Sequence, residues 1–122
     1  MEFFFDTYAI MCLIEGDKNY DKYKDYIITT SILNLAELYN IFLRDKGKKT
    51  ARYWMRILNF NILEIDEESI FKAIEFRFAN KKKRLSLTDC TGFILACKNK
   101  RKFLTGDKEF ENIKNVEFVK KE

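Results

Sequence analysis

The stretch Phe3-Phe4-Phe5-Asp6-Thr7, in which an unbroken apolar run stops at a carboxylate, constrains this chain more than any other. A strand with one wet face alternates apolar and polar residues, and three consecutive phenylalanines do not alternate. They predict a strand from Glu2 to Phe5 buried on both faces, as in a parallel sheet with helices packed on each side. In such sheets the binding crevice lies at the carboxyl ends of the strands. Asp6 falls at that end, ahead of an apolar segment from Tyr8 to Ile14 that predicts a helix closed by Gly16. Taken alone, Asp6 is equally a helix cap.

A chain of 122 residues suits one domain, 1–122, and a hydrophobic fraction of 47% with twelve Phe supplies one core. No apolar run approaches the roughly 18 residues needed to span a bilayer, and the opening Met-Glu-Phe has no basic leader. A cytoplasmic protein without membrane association is therefore expected. Three cysteines, an odd number, fit a reducing compartment. Cys90 and Cys97 share one apolar helical pattern and read as core rather than as metal ligands. There is no histidine, which excludes Ser-His-Asp and Cys-His catalysis, the usual zinc hydrolase sites and histidine general bases. Chemistry is left to carboxylates, hydroxyls, lysines and arginines, with a hard cation. The formal charge of +4 tolerates a polyanion without establishing one.

Along the chain, Asp25 to Thr30 is β-branched enough for a second strand. Ser31 caps a helix from Ile32 to Leu43, which Gly47 and its flanking cations end. Lys49 to Asn59 predicts another amphipathic helix, and Asn61 to Ile65 a third strand. Asp66 caps a helix running to about Lys82, and Ser86 opens one running to about Lys100. Lys102 to Thr105 and Asn115 to Val119 are the last two strands, with a helical turn from Asp107 to Glu111 between them. This order predicts an α/β fold: a three-layer α/β/α sandwich around a central, mostly parallel sheet of about five strands.

That topology could bring four acids together: Asp6 after the first strand, Glu37 inside the second major helix, Asp89 at the start of a helix, and Asp107 after the fourth strand. Each has an ordinary alternative. Asp6 and Asp107 could serve turns or caps, and Ser86-Leu87-Thr88-Asp89 matches a capping box. Glu37 is harder to dismiss, because Leu33 and Ile41 flank it at helical spacing and no cation follows at Asn40 or Ile41. A carboxylate on an apolar stripe should face something positive. Two like charges about 5 Å apart repel by roughly 3 kcal/mol at an effective dielectric near 20. A converged cluster would thus take up protons or hold a divalent cation, and a set of hard oxygens favours Mg²⁺ or Mn²⁺. Carboxylate-held magnesium suits phosphodiester hydrolysis.

Asp6-Thr7 after a short apolar strand, the helix motif Leu35-Ala36-Glu37-Leu38, Leu85 to Asp89 opening a helix, and Phe103-Leu104-Thr105-Gly106-Asp107 followed by Phe110 form an ordered acidic set. In this respect the chain resembles the PIN-domain nucleases, especially VapC-type toxins, from residue 3 to residue 119. The resemblance implies a Mg²⁺- or Mn²⁺-dependent endoribonuclease. Asp6, Glu37, Asp89 and Asp107 would form the acidic site, with Asp6 and Asp89 most directly on the metal and Glu37 and Asp107 completing its shell or orienting water. Thr7 and Thr105 would be supporting hydroxyls. The resemblance also implies an RNA substrate, a homodimer and a small antitoxin partner. Tyr8 departs from the family pattern, which commonly has a small polar residue there.

Two basic runs, Lys81 to Arg84 and Lys98 to Lys102, bracket the helix carrying Asp89. Either could follow an RNA backbone, and either could be a solvated helix end. A housekeeping RNA-processing nuclease and an inert RNA- or protein-binding module of the same fold remain alternatives. A phospho-aspartate phosphatase fits poorly, since Tyr8 stands where its second Asp would be. A receiver domain fits poorly too, lacking paired acids near the first strand.

Overall fold

The computed structural model describes residues 2–122; Met1 lies outside them. Strand β1 (Phe3–Phe5) is fully buried, and its three rings divide between two cores. Phe3 and Phe5 pack with Ala9, Ile10, Tyr20, Tyr23, Leu38 and Phe42 on one side, while Phe4 packs with Ala73, Cys90, Phe93, Leu95 and Phe110 on the other. Side chains of a strand alternate between faces. The triple phenylalanine is therefore the signature of a strand with an apolar layer on each side, as the sequence predicts. Strand β4 (Lys102–Thr105) pairs with β1 in parallel and repeats the pattern, Leu104 joining the first core and Phe103 the second. Strand β5 (Val116–Phe118) pairs in parallel with the far side of β4.

Strands β2 (Ile28–Thr30) and β3 (Phe60–Ile62) form a separate parallel pair, so the five strands divide into sheets of three and two. The Thr30 hydroxyl donates to the Phe5 carbonyl at 2.8 Å, holding β2 beside β1. A side chain thus occupies an acceptor on the β1 edge that faces β2, at the seam between the sheets. Both strands are shorter than the sequence suggests: Ile27 is exposed, and the backbone beyond Ile62 adds only the bond from Leu63 N to Thr30 O.

Helix α1 (Thr7–Ile14) follows β1 directly. Helix α2 (Ile32–Ile57) contains both helices expected between Ser31 and Asn59, broken at Gly47, where φ is +83° and ψ is 165°. That backbone conformation belongs almost exclusively to glycine. Helix α3 (Glu67–Ala79) ends three residues before Lys82, and α4 (Leu87–Lys98) starts from a complete Ser86/Asp89 capping box. Short 3-10 turns occupy Lys18–Tyr23 and Lys108–Phe110. Among the described residues no helix is long and apolar enough to cross a membrane.

Gly106, just past β4, is a point of close approach. A Cβ built there would meet Tyr8 Cε1 at 2.2 Å and the Val119 carbonyl oxygen at 2.5 Å. The second contact is to backbone, which cannot rotate away. Gly106→Ala is expected to lower stability by roughly 1–3 kcal/mol through overpacking. Chemical denaturation checks this, and an unchanged midpoint would show that the segment after β4 yields more freely than its packing suggests.

Candidate active site

The carboxyl ends of β1, β2 and β4 lie on one side of the molecule, and each delivers polar residues there. Asp6 is 3% exposed and caps α1 by accepting from Thr7 N at 2.8 Å. Its second oxygen accepts from the Thr105 hydroxyl at 2.7 Å, which ties the end of β1 to the end of β4. Thr105 Oγ1 in turn accepts from Asp107 N at 3.1 Å, and Asp107 accepts from Glu109 N at 3.0 Å. From α2, Glu37 accepts from the Thr7 hydroxyl at 2.7 Å. Asp89 accepts from Ser86 N at 2.9 Å in the first turn of α4. The capping reading of Asp6, Asp89 and Asp107 and the site reading hold together, because the helix starts that these acids cap all open onto the same place.

That place is a cavity of about 470 Å³ lined by Asp6, Glu37, Asp89 and Asp107, with Thr7 and Tyr8. All four expected acids and Thr7 line it, while Thr105 stands behind Asp6. Arg44 and Lys121 line the same cavity, each paired with an acid of its own: Arg44 with Asp45 at 2.8 Å and Lys121 with Glu15 at 3.3 Å. Among the described residues no lysine or arginine forms an ion pair with Asp6, Glu37, Asp89 or Asp107. The positive partner expected for Glu37 is therefore not a side chain, and a hydroxyl meets it instead.

The electrostatics follow from burial and mutual repulsion. Burial pushes the Asp6 carboxyl up to about 7, with the Asp89 charge adding to it and that of Glu37 adding less, against the hydrogen bonds from Thr105 and Thr7. Burial likewise raises Glu37, with Asp89 adding and the Thr7 and Thr88 hydroxyls opposing. Asp89 is raised by burial and then by Asp107. The four acids thus feel one another across a poorly solvated pocket. Between the unfolded value of 3.8 and about 7, the folded protein holds an Asp6 proton that the unfolded chain has released. Raising pH through that window therefore removes stability. In chelator, the wild-type melting temperature is expected to fall from about pH 4 to about pH 7, and that of Asp6→Asn to fall less. Parallel pH profiles for the two proteins would contradict this.

The donor set fits a hard divalent ion: carboxylate and hydroxyl oxygens, no histidine, and, among the described residues, no lysine or arginine paired with the four acids. Among the described residues no three acid or thiol side chains are gathered closely enough to make a finished ligand cluster. Separate hydrogen bonds to Thr7, Ser86 and Glu109 set the spacing of Glu37, Asp89 and Asp107.

Sequence reasoning missed Asn34. It is fully buried and donates to Thr7 Oγ1 at 3.0 Å, while the Ser31 hydroxyl donates to its Oδ1 at 2.7 Å. The chain from Ser31 through Asn34 and Thr7 to Glu37 orients the Thr7 hydroxyl toward the carboxylate. A usable signal existed, since Asn34 lies one helical turn before Glu37 on the same face.

The PIN domain family model matches residues 3–116. No curated protein matches the sequence. Among solved structures, a toxin-antitoxin complex from Klebsiella pneumoniae is similar at 19% identity, covering 96% of each chain with a TM-score of 0.73. VapC20 of Mycobacterium tuberculosis, described as a Sarcin-Ricin loop cleaving toxin, is similar at 18% identity over 94% of this chain and 98% of that one, with a TM-score of 0.73. VapBC-1 of nontypeable Haemophilus influenzae is similar at 18% identity over 98% of each chain, with a TM-score of 0.76. At such identities the likeness is one of fold, and the family model carries the assignment. With the parallel strand order and the strand-end acids, that match establishes that this chain belongs to the PIN domain family.

Proposed function

We propose that the chain is a single-domain, Mg²⁺- or Mn²⁺-dependent endoribonuclease acting as the toxin of a toxin-antitoxin pair. One observation carries the reading: four carboxylates from separate parts of the chain line one cavity, and none has a lysine or arginine as an ion-pair partner. Asp6, Asp89 and Asp107 would hold the ion, with Glu37 at its edge. When bound, the ion lowers the pKa of an attacking water and offsets charge on the scissile phosphate. Glu37, held by Thr7, would orient such a water and accept its proton, and its raised pKa suits a general base. Thr105 fixes the Asp6 carboxylate, and the N-termini of α1 and α4 favour negative charge at the pocket.

The toxin assignment is supported by the fold shared with structures of toxin-antitoxin complexes. Two partners, a second copy of this chain and a small antitoxin, would find apolar area in Phe71 and Ile74 on α3 and in Leu43, Tyr53 and Ile57 on α2, all exposed. The three free cysteines, two of them buried, suit a reducing cytoplasm.

Incubation of the purified protein with cellular RNA in Mg²⁺, in Mn²⁺ and in excess chelator, with end-mapping of the products, tests the reading. Discrete internal cuts in both metals and none in chelator are expected. Cleavage that persists in chelator would overturn the metal-dependent mechanism.

A further inference from the structure

A second cavity, of about 600 Å³, adjoins the acidic one, and Asp89 lines both. Its walls come from the end of α3 and the segment leading into α4: Arg77, Phe78, Lys81, Lys83, Arg84 and Leu85 are among them. Four of these are cations and Asp89 is the only acid among its lining residues, the reverse of the neighbouring pocket. Among the described residues none of the four cations lies in an ion pair. Arg77 is held in place by donating from Nε to the Leu85 carbonyl at 2.8 Å, and it lines the groove. The Arg84 backbone is pinned by the bond from its N–H to Glu109 at 3.0 Å. Phe78 is 74% exposed, with Lys81 Nζ 5.4 Å from its ring centre. A cationic groove with an exposed aromatic is the usual platform for a flexible polynucleotide strand.

The second basic run, from Lys98 to Lys102, has a different setting. It begins at Lys98, the last residue of α4 and nine residues after Asp89, and so sits about 14 Å from that acid along the helix axis. Lys98 is engaged with Asp66 at 2.6 Å, and Arg101 with Glu2 at 3.3 Å at the amino end of β1. Parallel topology thus places one run beside the acids and the other at the opposite end of the sheet.

We propose that the groove formed by Arg77, Lys81, Lys83 and Arg84 binds the phosphodiester backbone of a single-stranded RNA as it leads into the acidic pocket at Asp89. This rests on the ribonuclease reading for its substrate, but binding can be tested without cleavage. In an Asp6→Asn background, the affinity for a fluorescent single-stranded RNA is measured by anisotropy across a salt series, with and without Lys83→Ala and Arg84→Ala. Loss of two phosphate contacts is expected to weaken binding roughly tenfold and to flatten the log–log salt slope by about 1.4. Lys98→Ala with Lys100→Ala, at the far end, should leave both unchanged. In the cleaving protein, the groove pair should raise KM and leave kcat within about twofold. Unchanged affinity and salt slope in the groove variant would overturn the proposal. So would unchanged RNA affinity accompanied by a shifted monomer–dimer balance, which would assign the groove to a contact between copies. If the wild type cleaves no RNA while the groove variant still loses affinity, the groove assignment stands and the ribonuclease reading fails.

Discussion

Replacing Asp6 with Asn is expected to lower metal-dependent RNA cleavage on the order of a hundredfold or more, with the fold intact. Asparagine caps a helix about as well as aspartate, so the bond from Thr7 N survives. Thr105 can rotate to accept where it now donates. What is lost is one negative charge at the most buried of the four acids, the one that couples to both Asp89 and Glu37. The separation of effects makes the prediction specific: an active-site acid under mutual repulsion stabilises function at the expense of the metal-free fold. The variant should therefore melt no lower than the wild type in chelator while failing to cut. Loss of cleavage together with a large drop in melting temperature would instead assign Asp6 a structural role.

The second large effect concerns the middle of the strand that Asp6 follows. Phe4 is fully buried, stacked on Phe103 with ring centres 5.8 Å apart, and packs in the core that α3 and α4 share. Phe4→Ala is expected to cost roughly 3–5 kcal/mol, a large share of the roughly 5–15 kcal/mol that stabilises a typical domain. Because α4 carries Asp89, the same change should loosen the site as well. Denaturant titration measures the loss, and a value under about 1 kcal/mol would mean that the second core collapses around the gap.

Much of this was legible in the sequence because strand burial and the placement of acids are local signals. Three phenylalanines in a row demand apolar neighbours on both faces, and the two cores that part Phe4 from Phe3 and Phe5 supply them. Asp6, Asp89 and Asp107 stand just after strands or in a first helical turn, positions that parallel topology sends to one end of the sheet, and Glu37 follows one turn further into α2. Non-local chemistry was less visible. At the division of the sheet the Thr30 hydroxyl bonds the Phe5 carbonyl, and no pattern within β2 announces such a contact. Burial of a carboxylate predicts a cation for Glu37, whereas its partner is the Asn34-Thr7 relay, assembled from side chains far apart in the chain. The two basic runs look equivalent as text. Only the direction of α4 separates the run beside the acids from the one at the opposite end.

The convergence of Asp6, Glu37, Asp89 and Asp107 on one divalent cation is tested most directly by titrating the metal-free protein with Mn²⁺ and following the bound fraction by electron paramagnetic resonance. Saturable binding by the wild type, weakened roughly tenfold or more in Asp6→Asn and again in Asp89→Asn, is the predicted result. A wild type that takes up no Mn²⁺, or variants that bind it as tightly as the wild type, would contradict the assignment of these carboxylates to a metal site.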